Sequence, residues 1–281
     1  MPELPEVETV VRELRGRLPG AVITRAVVTA SDMYRRGSGT VSSLEGARVT
    51  AVERRGKAIL VHCAGPSGDL VLAVHLGMTG NLLWTESTHD AAQPHLHARW
   101  GLSGGAELRL VDPRRFGYVL VGAPEAVRAS LNMGPDALAM TADELARTLC
   151  KRRAPVKSLL LDQRIIAGLG NIYVDESLFL ARVHPLTRGD RAALRARELL
   201  SSARRVLARA IEARGTTFRD YRRTDGSSGE FQMRLRVYGR EGEPCVRCRT
   251  RIKRIEVGQR GTHLCPRCQR APRRVTPSRR T

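Results

Sequence analysis

The sequence predicts an α+β protein, with an N-terminal β-sandwich that carries a helix at its start and a C-terminal helical domain finished by a β-hairpin. Three observations predict it. After one amphipathic opening segment, residues 1–130 hold short β-branched runs separated by Gly, Pro, Ser and Asp. From about 142 to 213 the apolar residues recur at helical spacing, and four cysteines stand in two close pairs near the end. Short strands punctuated by turns favour a sandwich or barrel over a parallel sheet with crossover helices.

In order, Pro5 suits a first helical turn, and Glu6 and Glu8 favour its positive end. Val7, Val10, Val11, Leu14 and Leu18 then recur at helical spacing until Pro19-Gly20 stops the helix. Strands are expected at Val22–Thr29, Val49–Glu53, Ala58–His62, Leu70–His75, Ala98–Leu102, Glu107–Val111 and Tyr118–Val121. Residues 131–140 (LNMGPDALAM) change in character and read as a linker. Thr141 and Glu144 have the spacing of a reciprocal helix cap. Helices are expected at about 142–150, 156–165 and 172–181. A longer one at 189–213 would bury Leu194, Leu199, Leu200, Val206, Leu207 and Ile211 and end at Gly215.

The length of 281 residues fits two ordinary domains, and 42% apolar residues supply a core. No run of about 18 apolar residues exists, which excludes a spanning helix. The start, Met1-Pro2-Glu3-Leu4-Pro5-Glu6, is acidic and proline-broken, unlike a secretory signal. A cytoplasmic protein with no membrane partner is therefore expected. Lys and Arg number 48 against 28 Asp and Glu, a net charge of +20. Such a field gathers polyanions, with nucleic acid the first candidate. Arg270, Arg273, Arg274, Arg279 and Arg280 meet no acid after residue 268; without these five the balance is still +15. Aromatic residues are 4% of the chain, too few for a platform that stacks single-stranded bases.

The spacing Cys245-x2-Cys248-x16-Cys265-x2-Cys268 matches a structural zinc ribbon, in which four thiolates close the coordination shell of one Zn2+. Two disulfides would use the same residues but do not suit a cytosolic chain. Cys63 and Cys150, without evident partners, read as buried apolar fillers. Between the knuckles, Ile252–Val257 and Thr262–Leu264 flank Gly258-Gln259-Arg260-Gly261, a hairpin tip carrying an arginine.

Five further strings stand in order: Met1-Pro2-Glu3-Leu4-Pro5-Glu6-Val7-Glu8-Thr9, His75-Leu76-Gly77-Met78-Thr79-Gly80, Asp112-Pro113-Arg114-Arg115-Phe116-Gly117, Gly168-Leu169-Gly170-Asn171-Ile172-Tyr173 and Tyr238-Gly239-Arg240-Glu241-Gly242-Glu243-Pro244-Cys245. Together they resemble the bacterial formamidopyrimidine-DNA glycosylases, from residue 1 to about 268. The resemblance implies a bifunctional glycosylase and AP lyase that excises 8-oxoguanine and formamidopyrimidines, then cuts by β,δ-elimination in base-excision repair. Damaged double-stranded DNA would be the partner of a monomer associated with the nucleoid.

Chemically, removal of Met1 would leave the secondary amine of Pro2 to attack C1′ and form an iminium, an electron sink that acidifies C2′. Glu3 would move protons. The resemblance makes Lys57 a contact to the lesion and its phosphate, and Arg260 a phosphate-binding arginine that stabilises the departing group. Met78, Arg114 and Phe116 would fill the hole left by an extruded base, with Arg114 suited to an orphaned cytosine. His95, Arg153, Lys157 and Asn171 would contact DNA, and Asn171 would cap its helix within a helix–two-turns–helix element.

The implied organisation is a catalytic sandwich over 1–130, a linker over 131–140, a helical DNA-binding domain over 141–240 with a recognition loop at about 216–233, a zinc finger over 241–269, and a basic tail over 270–281. One departure is Arg249, where the family commonly has glycine after the second cysteine, so a turn of positive φ would be mildly strained there. Two rivals stand beside this reading: an oxidised-pyrimidine glycosylase of the same architecture, and a noncatalytic zinc-containing DNA-binding protein.

Overall fold

In the computed structural model, which describes residues 2–35, 39–86, 93–217 and 221–272, the opening helix α1 spans Leu4–Arg15. Its stripe of Val7, Val10, Val11 and Leu14 is wholly buried. The helix ends before Pro19-Gly20, yet Leu18 stays buried because its N–H still reaches Leu14 O at 2.8 Å. Residues 1–136 and 207–233 form one compact unit, and residues 137–206 and 234–281 form the other.

The first unit contains β1 (Ile23–Val28), β2 (Arg48–Arg55), β3 (Ala58–Gly65), β4 (Gly68–His75), β5 (Asn81–Thr85), β6 (Leu96–Leu102), β7 (Glu107–Val111), β8 (Tyr118–Gly122) and helix α2 (Pro124–Leu131). They build two four-stranded antiparallel sheets, ordered β2-β3-β4-β8 and β1-β6-β7-β5. Successive residues in a strand point to opposite faces. Ile59, Val61, Leu72, Val74, Val119 and Val121 therefore join α1 and the second sheet in the main core. Leu60, Val71, Ala73 and Leu120 turn outward and are covered by Val127 and Leu131 of α2. Burial on both faces explains why these strands read as continuous apolar runs.

Residues 221–233, adjacent in sequence to the helices, pack within this first unit. Tyr221 joins the main core, and Trp84 N–H of β5 donates to Thr224 O at 3.0 Å. The edge of the second sheet is thereby partly covered.

The second unit contains α3 (Ala142–Leu149), α4 (Val156–Leu161), α5 (Asn171–Leu180), α6 (Gly189–Ala192), most of α7 (Ala196–Glu212), and the hairpin β9 (Lys253–Val257) and β10 (Arg260–Leu264). The expected cap of α3 is present: Thr141 Oγ1 accepts the Glu144 N–H at 3.2 Å, and Glu144 Oε2 accepts the Thr141 N–H at 2.7 Å. The second expected helix stops at Leu161 because Asp162 is extended. The long helix expected from 189 is broken by a 3-10 turn at Ala193–Arg195. Leu194 on that turn is 79% exposed, so it does not belong to the buried stripe. Cys63 is a buried filler as expected, but Cys150 is exposed at the C-terminus of α3, its Sγ against Arg147 O. Among the described residues no helix is long and apolar enough to cross a membrane.

A charged network fixes the turn between β2 and β3. Arg54 donates to Glu8 Oε2 of α1 at 2.9 Å and to both oxygens of Asp136, whose Oδ2 also accepts the Gly56 N–H at 3.0 Å. The Arg54 side chain is only 7% exposed. Removing one partner of such a network strands the other charges out of water. Arg54→Met is expected to lower unfolding stability by about 3 kcal/mol, measured as a reduced urea midpoint at neutral pH, whereas a surface change such as Arg128→Met should leave it in place.

Candidate functional site

At the amino end, Pro2 is buried and Glu3 is 1% exposed. The carboxylate of Glu6, also 1% exposed, accepts the Glu3 N–H at 2.8 Å through Oε2 and the Thr216 N–H at 2.7 Å through Oε1. Tyr221 Oη donates to Glu6 O at 3.2 Å. Burial, before any charge, pushes the Tyr221 phenol well above its ordinary range, so it stays a neutral donor. Gly215 has φ +86°, and a Cβ there would lie 3.0 Å from Glu6, so glycine lets the 215–216 backbone approach the carboxylate.

Lys57 follows Gly56 in the β2–β3 turn and is 6% exposed, not the solvated cation its arginine neighbours suggest. His75 pairs with Ala58 in the β3–β4 ladder. Its Nδ1 accepts the Gly77 N–H at 3.1 Å, and its ring stacks on Tyr118 with centroids 4.8 Å apart. Burial, then the positive charges of Lys57 and Arg35, hold His75 down at about 4.

Met78 is half-buried, while Arg114 and Phe116 are exposed, Phe116 by 52%. Two loops carry them, and the loops are locked together. A Cβ on Gly77 would fall 2.3 Å from Phe116 C, and Gly77 has φ +59°. The fully buried Asp112 accepts the Thr79 hydroxyl, the Arg114 N–H at 3.3 Å and the Gly117 N–H at 2.8 Å. Its own N–H donates to the carbonyl of His95, an exposed residue at φ 63°. The Arg114 guanidinium rests 4.7 Å from the Phe116 ring centre. Residues 87–92, shortly before His95, lie outside the described residues.

In the second unit, Gly170 is the N-cap of α5 and Asn171 its first residue, so Asn171 does not cap the helix as expected. Its Nδ2 instead donates to Gly261 O at 3.0 Å, leaving Oδ1 buried with no partner among the described residues. Lys157 is fully buried: its Nζ donates to Asp175 Oδ1 at 2.7 Å and to Gly261 O at 3.1 Å. Held there, the ammonium has no path to a phosphate, which corrects the expectation of a DNA contact; it fixes the hairpin instead. Asp175 Oδ2 accepts the His263 N–H at 2.8 Å. Arg153 is exposed. Arg260 is exposed as well, but it opens β10 opposite Val257 rather than sitting in the turn. The turn is Gly258-Gln259, both at positive φ, the two-residue geometry that matches strand twist.

The four Sγ atoms of Cys245, Cys248, Cys265 and Cys268 lie within 4.8 Å of one another. Tetrahedral Zn2+ with bonds of about 2.3 Å places its sulfurs about 3.8 Å apart, so the cluster fits one structural zinc ion. The Arg247 and Cys268 N–H groups each donate to a ligand sulfur at 3.4 Å. Arg249 adopts φ 65°, the left-handed turn that its missing glycine foreshadows.

Residues 1–119 match the formamidopyrimidine-DNA glycosylase N-terminal domain, residues 131–222 the H2TH domain of the same enzymes, and residues 242–271 the zinc finger found in FPG and IleRS. A formamidopyrimidine-DNA glycosylase of Symbiobacterium thermophilum is 43% identical over 100% of this chain and 95% of its own length. The chain belongs to the formamidopyrimidine-DNA glycosylase family. A family member from Novosphingobium aromaticivorans is 46% identical, covering 96% of this chain and 100% of the relative. The crystal structure of MutM (Fpg) from Thermus thermophilus superposes with a TM-score of 0.83 at 40% identity, over 95% of this chain and 98% of that one. Lactococcus lactis Fpg in complex with DNA containing N7-benzyl-Fapy-dG gives 0.85 at 33% identity, over 96% and 100%.

Sequence reasoning about this glycosylase missed His75 and Asp112 as site residues, although both lie in strings it singled out. A histidine ending an apolar strand beside a lysine-bearing turn was the available signal for His75. For Asp112 the signal was an acid before a loop rich in exposed cations. His75 also gives a pH dependence. The unfolded histidine binds its proton at an ordinary 6.5 and the folded one only at about 4, so protonation favours unfolding between those values. Thermal stability is expected to fall as pH drops from 6.5 towards 4, and His75→Gln should make that fall shallower while leaving neutral pH little changed.

Proposed function

We propose that the chain is a base-excision DNA glycosylase and AP lyase that removes oxidised purines from duplex DNA through the amine of Pro2. The observation that carries this reading is the pairing of a full-length family match with a buried Pro2-Glu3 at the head of α1. A helix N-terminus and burial both favour the neutral, nucleophilic amine, while the nearby carboxylates oppose them.

The amine attacks C1′, the C1′–base bond breaks, and the electron pair leaves with the base as it is protonated. The nitrogen loses its proton, the C1′–O4′ bond opens as O4′ takes up a proton, and the nitrogen lone pair forms the iminium between Pro2 and the sugar, which acidifies C2′. Loss of that proton expels the 3′ phosphate, a second elimination expels the 5′ phosphate, and hydrolysis frees the amine. Glu3, beside the reacting nitrogen, is the group to carry protons at the sugar. Lys57 provides positive charge next to the neutral His75, whose acceptor Nδ1 is already engaged by Gly77. Arg260, presented by a hairpin fixed through Lys157, Asp175 and Asn171, stabilises a departing phosphate by charge. His95 and Arg153 contribute exposed positions for the DNA backbone.

Extrusion of the damaged base leaves a gap and an unpaired partner. Met78 plugs the gap, Phe116 wedges the stack, and Arg114 donates to the acceptors of an orphaned cytosine. Oxidised pyrimidines are a second substrate class, favoured by one observation: Lactococcus lactis Fpg, with a TM-score of 0.84, has been crystallised with DNA containing an oxidised pyrimidine. In the cell the substrate would be cytoplasmic, nucleoid DNA.

Borohydride added during turnover should reduce the iminium and leave a covalent protein–DNA adduct. Mass spectrometry is expected to place it on the peptide that begins with Pro2; an adduct on Lys57, or binding without any adduct, would remove the proposed nucleophile. Paired excision assays test the partner-base reading. Lesions opposite C should be cut faster than lesions opposite A, and Arg114→Ala should erase about 1–3 kcal/mol of that preference, whereas an unchanged ratio would dismiss Arg114 from this role.

A further inference from the structure

The end of the zinc hairpin opposite its turn has no part in this chemistry. There Arg182, Arg247, Cys248, Arg267, Cys268 and Arg270 line an open cavity of about 610 Å³, with no carboxylate lining it among the described residues. Both knuckles read Cys-x-Arg-Cys, Cys245-Val246-Arg247-Cys248 and Cys265-Pro266-Arg267-Cys268, so each presents an arginine just before its second metal ligand. Arg247 is engaged in structure: it donates to Phe179 O at 3.0 Å and Leu180 O at 3.3 Å, at the negative end of α5. Buried Gln269 accepts the Cys265 N–H at 3.0 Å and donates to Val183 O at 2.9 Å. That stitch sets the turn of Arg182 beside the second knuckle. Arg182, Arg267 and Arg270 are exposed, and their guanidinium groups meet no acidic partner among the described residues.

Unpaired guanidinium groups around one space repel each other, and the thiolates of Cys248 and Cys268 offset only part of that repulsion. A bound polyanion would offset the rest. We propose that this cavity seats backbone phosphates of duplex DNA, separate from those flanking the damaged nucleotide, as a second, sequence-independent grip. Two observations favour a linear polyanion over a small one. The chain leaves the cavity through Arg270 and continues into Arg273, Arg274, Arg279 and Arg280, a cationic run that a single small anion would not engage. The cavity also stands at the base of the five-residue strands β9 and β10, roughly 14 Å of strand from Arg260, so the two ends of the hairpin address different phosphates.

The inference rests on duplex DNA being the substrate, and its test is chosen to fail separately from that reading. Zinc-loaded full-length protein and the variants Arg270→Gln and Arg182→Gln/Arg267→Gln/Arg270→Gln would be titrated with undamaged duplex across a salt series. Each neutralised phosphate contributes about 0.9 to the slope of log K against log salt. The slope is expected to fall by about that amount in the single variant and up to threefold that in the triple variant. Excision from a short lesion duplex at low salt should persist in both. Release of zinc to a chelator is the control. Unchanged salt slopes with faster zinc loss would assign these arginines to balancing the tetrathiolate and overturn the proposal, as would unchanged slopes with unchanged zinc retention. Absence of excision in the unaltered protein would instead strike the glycosylase reading.

Discussion

A carboxylate withdrawn from water must find hydrogen-bond donors, and Glu6 finds them in two backbone amides more than two hundred residues apart in sequence, those of Glu3 and Thr216. This is the constraint on which the amino-terminal site depends. It holds the first residues of α1 against the segment after α7, so that Pro2 and Glu3 are buried instead of fraying as chain ends commonly do. The glycine at 215 is the complement of that acid, since a side chain there would press on the carboxylate.

The same device recurs wherever a functional loop must be held still. Asp112 clamps the amides of Arg114 and Gly117, Asp175 clamps that of His263, and Glu176 clamps those of Arg236, Val237 and Tyr238. Burial pushes Glu176 up, and the three amides oppose that shift. Lys157 differs in kind: it compensates Asp175 while bonding the carbonyl next to Arg260 in the chain. An acid that binds backbone fixes a segment whatever side chains the segment carries. The residues that touch substrate can then be chosen for chemistry alone.

How much of this the sequence disclosed depended on the range of the interaction involved. The zinc ligands, the capped start of α3 and the β-branched runs between turn residues are local patterns, and they were legible. The α2 helix was not, because its short stripe of Val127 and Leu131 resembles any turn until the outward faces of β3, β4 and β8 are seen to need a cover. The β5 strand was hidden by the unalternated run Leu82-Leu83-Trp84. Leu194 and Cys150 kept an apolar spacing but fell on a 3-10 turn and a helix end, where position decides exposure. Lys157 was expected to contact DNA, since nothing nearby announces a partner eighteen residues on. The roles proposed for Pro2, Arg114 and Arg260 came from resemblance rather than from periodicity.

The absence of any side chain at Gly77 has a mechanical outcome. With nothing between it and the Phe116–Gly117 peptide, the loops that carry Met78 and Phe116 form a single bracket, and neither can yield without dragging the other. In the role proposed for Met78 and Phe116, such a bracket would not mould itself to a helix of nucleotides; the nucleotides would have to give way. Sites whose stacking is already weakened would deform most readily around it, so stiffness in the protein becomes a means of sorting soft places from sound ones.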